Sequence, residues 1–235
     1  MNTTYENAES QFSVGEASPE VRAAFIRKTY AHLAGAILAF IGIEYLLLNS
    51  PLAEPLTQLM FGGRMSWFVV LIAFMGVSYW ANSLANSNAS TGMQYLGLGL
   101  YVVAEAVIFL PLLLIADLYY EGAIFNAAMM TLLLFLALTA TVFITRKDFS
   151  FLQPILMIGG FVALGVIVLS MIFGFNLGII FIAAMILFAA GAILYDTSNV
   201  IHRYRPNQHV AASLSLFASV ALLFWYILQL FMNRR

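Results

Sequence analysis

The sequence predicts an all-α integral membrane protein, a seven-transmembrane helix bundle with no water-facing domain. Composition carries the first argument. Of 235 residues, 63% are hydrophobic and 9% charged, with a mean hydropathy of +0.93, whereas a soluble domain carries about 25% charged residues. Segmentation carries the second. Seven stretches are long and apolar enough to cross roughly 30 Å of hydrocarbon at 1.5 Å rise per residue. The third is that nearly every connection between them is short.

The first span is expected over Ala24–Leu48, after a polar tail of residues 1–23 that bears Glu6, Glu9, Glu16 and Glu20. A secretory signal needs a basic start and then an apolar core, and this tail has neither. Asn49 to Arg64 is the only loop of any size. Four spans are expected over Met65–Ala81, Tyr95–Ala116, Ala123–Thr145 and Phe151–Phe173. The sixth is Leu177–Tyr195, nineteen residues without a charge, and the seventh is Val210–Met232. Residues 24–235 thus read as one transmembrane domain. Gly174 and Gly178 have G-x-x-x-G spacing but straddle a loop, so a tight turn explains them better than a dimer seam. The small run Ala183, Ala184, Ala189, Ala190, Gly191 and Ala192 suits a sixth helix buried among its neighbours. Trp67, Trp80, Tyr119, Tyr120 and Tyr204 sit near segment ends, as interfacial aromatics should.

Lysines and arginines set the expected orientation. With the N-terminus cytoplasmic, Arg22, Arg27, Lys28, Arg146, Lys147, Arg203 and Arg205 lie inside, and Arg64, Arg234 and Arg235 lie outside. Seven against three favours that orientation. A last segment that re-entered would strengthen the bias, so charge alone does not establish the seventh crossing.

Within so apolar a chain, an ionisable group in or beside a span is a functional candidate. Asp196 follows the sixth apolar stretch, and Asp196, Asn199 and Arg203 fall at i, i+3 and i+7, on one helix face. Two readings stand side by side. In one, the three form a structural cluster with Arg203 as counter-ion. In the other, Asp196 is a proton-sensing or cation-binding carboxylate at a gate. Glu105 lies mid-span, six residues before Pro111, which leaves the Val107 carbonyl without its helical partner and should kink the helix. An acid close to that freed carbonyl could hold a proton or cation, and the structural alternative is a neutral Glu105 bonded to Asn126 or Thr131. Glu44 is expected to snorkel to the interface. His32, His202 and His209 read as scattered surface groups.

The chain has no cysteine, which excludes disulfides and thiolate chemistry. It also lacks H-E-x-x-H, a Walker-type loop, G-x-G-x-x-G and G-x-S-x-G, so no enzyme, cofactor or metal centre is expected. The net charge of −1 gives no reason to expect a nucleic-acid partner.

The run Ile193-Leu194-Tyr195-Asp196-Thr197-Ser198 resembles the sixth-helix signature of the Bax inhibitor-1 family, the transmembrane Bax-inhibitor-motif proteins. Arg27-Lys28-Thr29-Tyr30 with His32-Leu33, Tyr101-Val102-Val103-Ala104-Glu105 before Pro111, Thr145-Arg146-Lys147-Asp148-Phe149 and Trp225-Tyr226-Ile227-Leu228-Gln229-Leu230 also fit, so the likeness runs from about Arg22 onward. The resemblance implies seven helices, six surrounding the last, and a pH-dependent calcium leak. In eukaryotic members it implies suppression of cell death. The absence of a long Pro-rich tail is similar to the bacterial branch, which implies the inner membrane. The family's leak is associated with two facing aspartates on the sixth and seventh helices. Asp196 matches the first. Seven residues before Tyr226, where the second should stand, this chain has Ser219. The family's basic partner on the second helix has no clear match, since Arg64 lies toward the opposite face.

The expectation is therefore a membrane protein of Bax inhibitor-1 type, without catalysis, that leaks calcium or another cation or serves ion homeostasis under pH control. The sensing residues are Asp196 and Glu105, supported by Asn199, Arg203 and Ser219. The rival expectation is a non-conducting regulator that binds other membrane proteins in quality control or stress. The sparse polar groups favour the rival, because a channel needs a continuous polar path.

Overall fold

A computed structural model describes residues 13–86 and 90–233. Its helices are α1 (Pro19–Leu48), α2 (Ala53–Phe61), α3 (Arg64–Ala85), α4 (Thr91–Tyr119), α5 (Ala123–Thr145), α6 (Leu152–Phe173), α7 (Ile179–His202) and α8 (His209–Met232). All but α2 are long and apolar enough to cross a membrane. The chain is an integral membrane helical bundle. Of the charges that set the expected orientation, Arg234 and Arg235 lie outside the described residues.

The central element is α8. It packs against α1, α3, α4, α5 and α7 and is the most buried of the spans. α6 contributes only Ala163, which packs with Ile182, Met185 and Tyr226. In lipid the hydrophobic effect does not drive helices together, so shape and contact must. Aromatic rings supply much of that contact. Phe40 of α1 meets Phe109 of α4 at 5.1 Å, Phe109 meets Trp225 of α8 at 4.8 Å, and Tyr101 meets Phe217 at 6.2 Å. At Gly97, α4 comes so close to α3 that an added Cβ would lie 2.6 Å from the Ala81 carbonyl oxygen.

Several expectations change. The stretch from Asn49 to Arg64 is not simply a loop, because α2 forms there and packs on α3 and α4. It buries Ala53 and Met60 and leaves Leu59 and Phe61 outward, too short a helix to register as a span. α1 starts five residues before the hydropathic boundary at Ala24, because Ser18 precedes it as cap and Pro19 suits the first helical position. α7 continues past Tyr195 to His202, so Asp196 lies within the helix. α7 is also less buried than its small residues suggest: Ala189 faces the core, but Ile180 and Leu187 are exposed. α4 runs unbroken through a buried Pro111. Gly174 ends α6 at φ 74°, the left-handed cap that glycine adopts without Cβ strain.

Candidate functional site

α7 and α8 pack against each other extensively, and their contact carries the site. The Ser219 hydroxyl of α8 donates to Asp196 Oδ2 of α7 at 2.5 Å. Ser219 is buried, and Asp196 is partly buried. A hydroxyl can donate to an ionised carboxylate and accept from a protonated one. The contact can therefore persist in either protonation state, unlike a pair of carboxyls that must share a proton.

Arg203 is not the counter-ion of Asp196. As the α7 C-cap, it extends beyond the helix, and its guanidinium lies 3.7 Å from Asp148 in the α5–α6 loop. Arg146, two residues before Asp148, ends α5 at φ 50°, a left-handed conformation that is uncommon for a residue with a Cβ. The loop is pinned further by Ser198. Its hydroxyl accepts from the Phe149 backbone N–H at 2.9 Å and donates to Asp148 Oδ1 at 3.4 Å. The Ser150 backbone N–H, with smaller help from Arg203, holds the Asp148 carboxyl below the usual range. Asn199 is buried, and its backbone carbonyl accepts from the N–H groups of Arg203 and Tyr204. Its side-chain oxygen has no hydrogen-bond partner among the described residues.

Glu105 is buried on α4 and coupled to the Tyr101 hydroxyl one turn earlier, not to Asn126 or Thr131. Asn126 is exposed, and the Thr131 hydroxyl donates to the Ala127 carbonyl at 2.7 Å. Both Glu105 and Ser219 face a cavity of about 480 Å³ bounded by α3, α4, α6, α7 and α8. From Ser219 the cavity lining follows α8 to Gln229, roughly 15 Å of helix at 1.5 Å per residue. It thus occupies the half of the bundle away from the face where α1 begins, called here the N-terminal face.

On the N-terminal side of the Asp196–Ser219 contact stands Tyr204. It is partly buried, its ring lies 6.3 Å from Phe25, and its hydroxyl is 3.0 Å from that of Ser215. Ser215 lies one turn before Ser219 on the same face of α8. Burial, with a smaller contribution from the Asp196 charge, pushes the Tyr204 phenol up to about 12.

Glu44 does not snorkel. It is 4% exposed, and neither carboxyl oxygen has a hydrogen-bond partner among the described residues. The expectation failed because a helix end defined by hydropathy says nothing of which side faces the bundle. Two of the histidines meet across the fold: His32 and His209 ring centroids are 5.0 Å apart, and His32 Nε2 is 2.8 Å from the Tyr95 hydroxyl. Among the described residues no three His, Asp or Glu side chains converge as a metal site.

The family described as inhibitor of apoptosis-promoting Bax1 matches residues 22–235. The chain is 33% identical to uncharacterized protein PA2604 of Pseudomonas aeruginosa, over 95% of this chain and 96% of that one. It is 33% identical to Protein LIFEGUARD 4 of Arabidopsis thaliana, over 91% and 86% respectively. A shorter likeness, 38% identity over 43% of this chain and 46% of the relative, is to the Modulator of FtsH protease YccA of Escherichia coli.

Proposed function

Because the chain belongs to the Bax inhibitor-1 family, the inhibitors of apoptosis-promoting Bax1, we propose that it is a non-catalytic leak for small cations, calcium among them, with the Asp196–Ser219 contact as its barrier. One observation carries the reading: a cavity walled by Glu105 ends at Ser219, and Ser219 is bonded to Asp196. A cation entering from the cavity side meets one mid-span acid and then a hydroxyl–carboxylate contact that must part before it can pass. Since that contact can hold in both protonation states, the basal leak is small and its pH response follows one carboxyl. The N-terminal face is the cytoplasmic face of a bacterial inner membrane, in line with the lysine and arginine bias. Flux of calcium, sodium and potassium into proteoliposomes tests the reading, with Asp196→Asn as control. A leak of any of these ions that Asp196→Asn leaves unchanged would refute it.

The likeness to a modulator of FtsH protease favours a second reading, a non-conducting regulator that binds other membrane proteins. Absence of flux at every pH, together with co-purification of a membrane protease, would select it.

A further inference from the structure

The residues just ahead of α1 are built into the bundle. Ser13–Ala17 forms a turn in which the Ser13 hydroxyl and N–H both donate to the Glu16 carboxylate, at 2.9 and 3.1 Å. Arg22, one turn into α1, reaches back over it. Its Nε donates to the Val14 carbonyl at 3.0 Å and one terminal nitrogen to the Gly15 carbonyl at 2.6 Å. Charge-assisted bonds of this kind are stronger than neutral ones. The turn rests on the α7–α8 connection. The Val14 N–H donates to the Tyr204 carbonyl at 2.8 Å, Val14 is completely buried, and a Cβ on Gly15 would lie 2.9 Å from the His202 carbonyl oxygen. Beneath it, Tyr204 bonds Ser215, one turn of α8 from the Asp196–Ser219 contact.

We propose that Ser13–Ala17 is a plug: clamped by Arg22, it holds Tyr204 in place and closes the N-terminal face of the Asp196–Ser219 site. The proposal rests on the leak reading for its physiological meaning, but the closure itself does not. With the cavity open on the other half of the bundle, the plug is the second of two barriers in series, the first being the Ser219–Asp196 contact. Whatever lifts the turn from the α7–α8 connection then sets how many molecules can conduct, and titration of Asp196 governs flux within that open fraction. The clamp depends on an arginine, because a lysine ammonium cannot present the same fork to two carbonyls.

The absence of cysteine from the chain makes a direct test available. Ser215→Cys places a single thiol behind Tyr204, and a membrane-impermeant maleimide is applied to each side of sealed vesicles in turn. Adding Arg22→Ala, or Gly15→Val to force the turn off His202, should speed labelling about tenfold, as expected for a local-opening equilibrium that has lost such bonds. The acceleration should appear only from the side bearing the N-terminus. Arg22→Lys should give an intermediate rate, and it replaces Arg22→Ala if that variant is not recovered folded. Labelling that is unchanged in folded Gly15→Val and Arg22→Lys proteins would overturn the plug. Labelling needs no ion flow, so faster labelling without any cation flux would uphold the plug and refute the leak.

Discussion

Ser219 on α8 and Asp196 on α7 meet at 2.5 Å, so the hydroxyl occupies the position opposite Asp196 where the family pattern would put a second carboxyl. The two positions are in register, and the chemistry between them differs.

Restoring the acid should therefore change the pH response. Ser219→Asp sets two carboxyls side by side, and like-charge repulsion makes them titrate as a coupled pair. Proteoliposome calcium flux in this variant should turn on or sharpen with pH, and Asp196→Asn should abolish the response in either background. Equal flux and identical pH profiles for the unmodified protein and Ser219→Asp would show that the second carboxyl is dispensable.

The two buried glutamates should respond oppositely to loss of polarity. Glu105 is coupled to Tyr101, so Glu105→Gln should preserve stability, whereas Glu105→Leu leaves the phenol unpaired and costs about 1–3 kcal/mol. Glu44 has no partner among the described residues, so Glu44→Leu should be neutral or stabilising because it removes an uncompensated buried polar group. Thermal unfolding in detergent reads both. A destabilised Glu44→Leu would reveal a partner for that acid, and a Glu105→Gln protein of full stability but no flux would make Glu105 functional.

The α5–α6 loop should loosen in acid. Asp148 is held below its ordinary value when folded, so its stabilising contribution is present above the usual carboxylate range. It is lost as pH falls through the lowered value. Both partners of the Arg203 pair are about half exposed, so Asp148→Asn should shift global stability by no more than about 1 kcal/mol. Trypsin cleavage after Arg146 and Lys147 should accelerate in Asp148→Asn at neutral pH. If the rate does not change, the loop is held by Ser198 alone.

A reporter fused after Arg235 should lie on the side opposite the N-terminus, because α8 is long enough to cross. A reporter on the same side as the N-terminus, with the first six spans intact, would mean that the last helix does not cross.

Much of the fold was legible because lipid imposes one simple rule. Backbone polar groups must be satisfied internally, so long uncharged stretches become helices. Seven spans follow from that alone. The resemblance supplied the central last helix and picked out Ser219, which spacing by itself would not have distinguished from Ser213 or Ser215. The helix α2 was hidden by its nine-residue length. The strap over Tyr204 left only faint marks, an arginine and a glycine in a polar segment.

Composition and apolar run length determined that this chain is a helical membrane bundle, because both act locally along the sequence. Which polar groups meet was decided only by tertiary structure. Helical periodicity put Asp196 and Arg203 on one face, yet Arg203 turns to Asp148 and Asp196 to Ser219. Periodicity ends where a helix ends, and pairing depends on which neighbour each side chain reaches. Glu44 and Glu105 look alike as single acids in apolar runs. The bundle gives one a phenol and leaves the other without a hydrogen-bond partner among the described residues, a difference that arises only when helices distant in sequence are packed together.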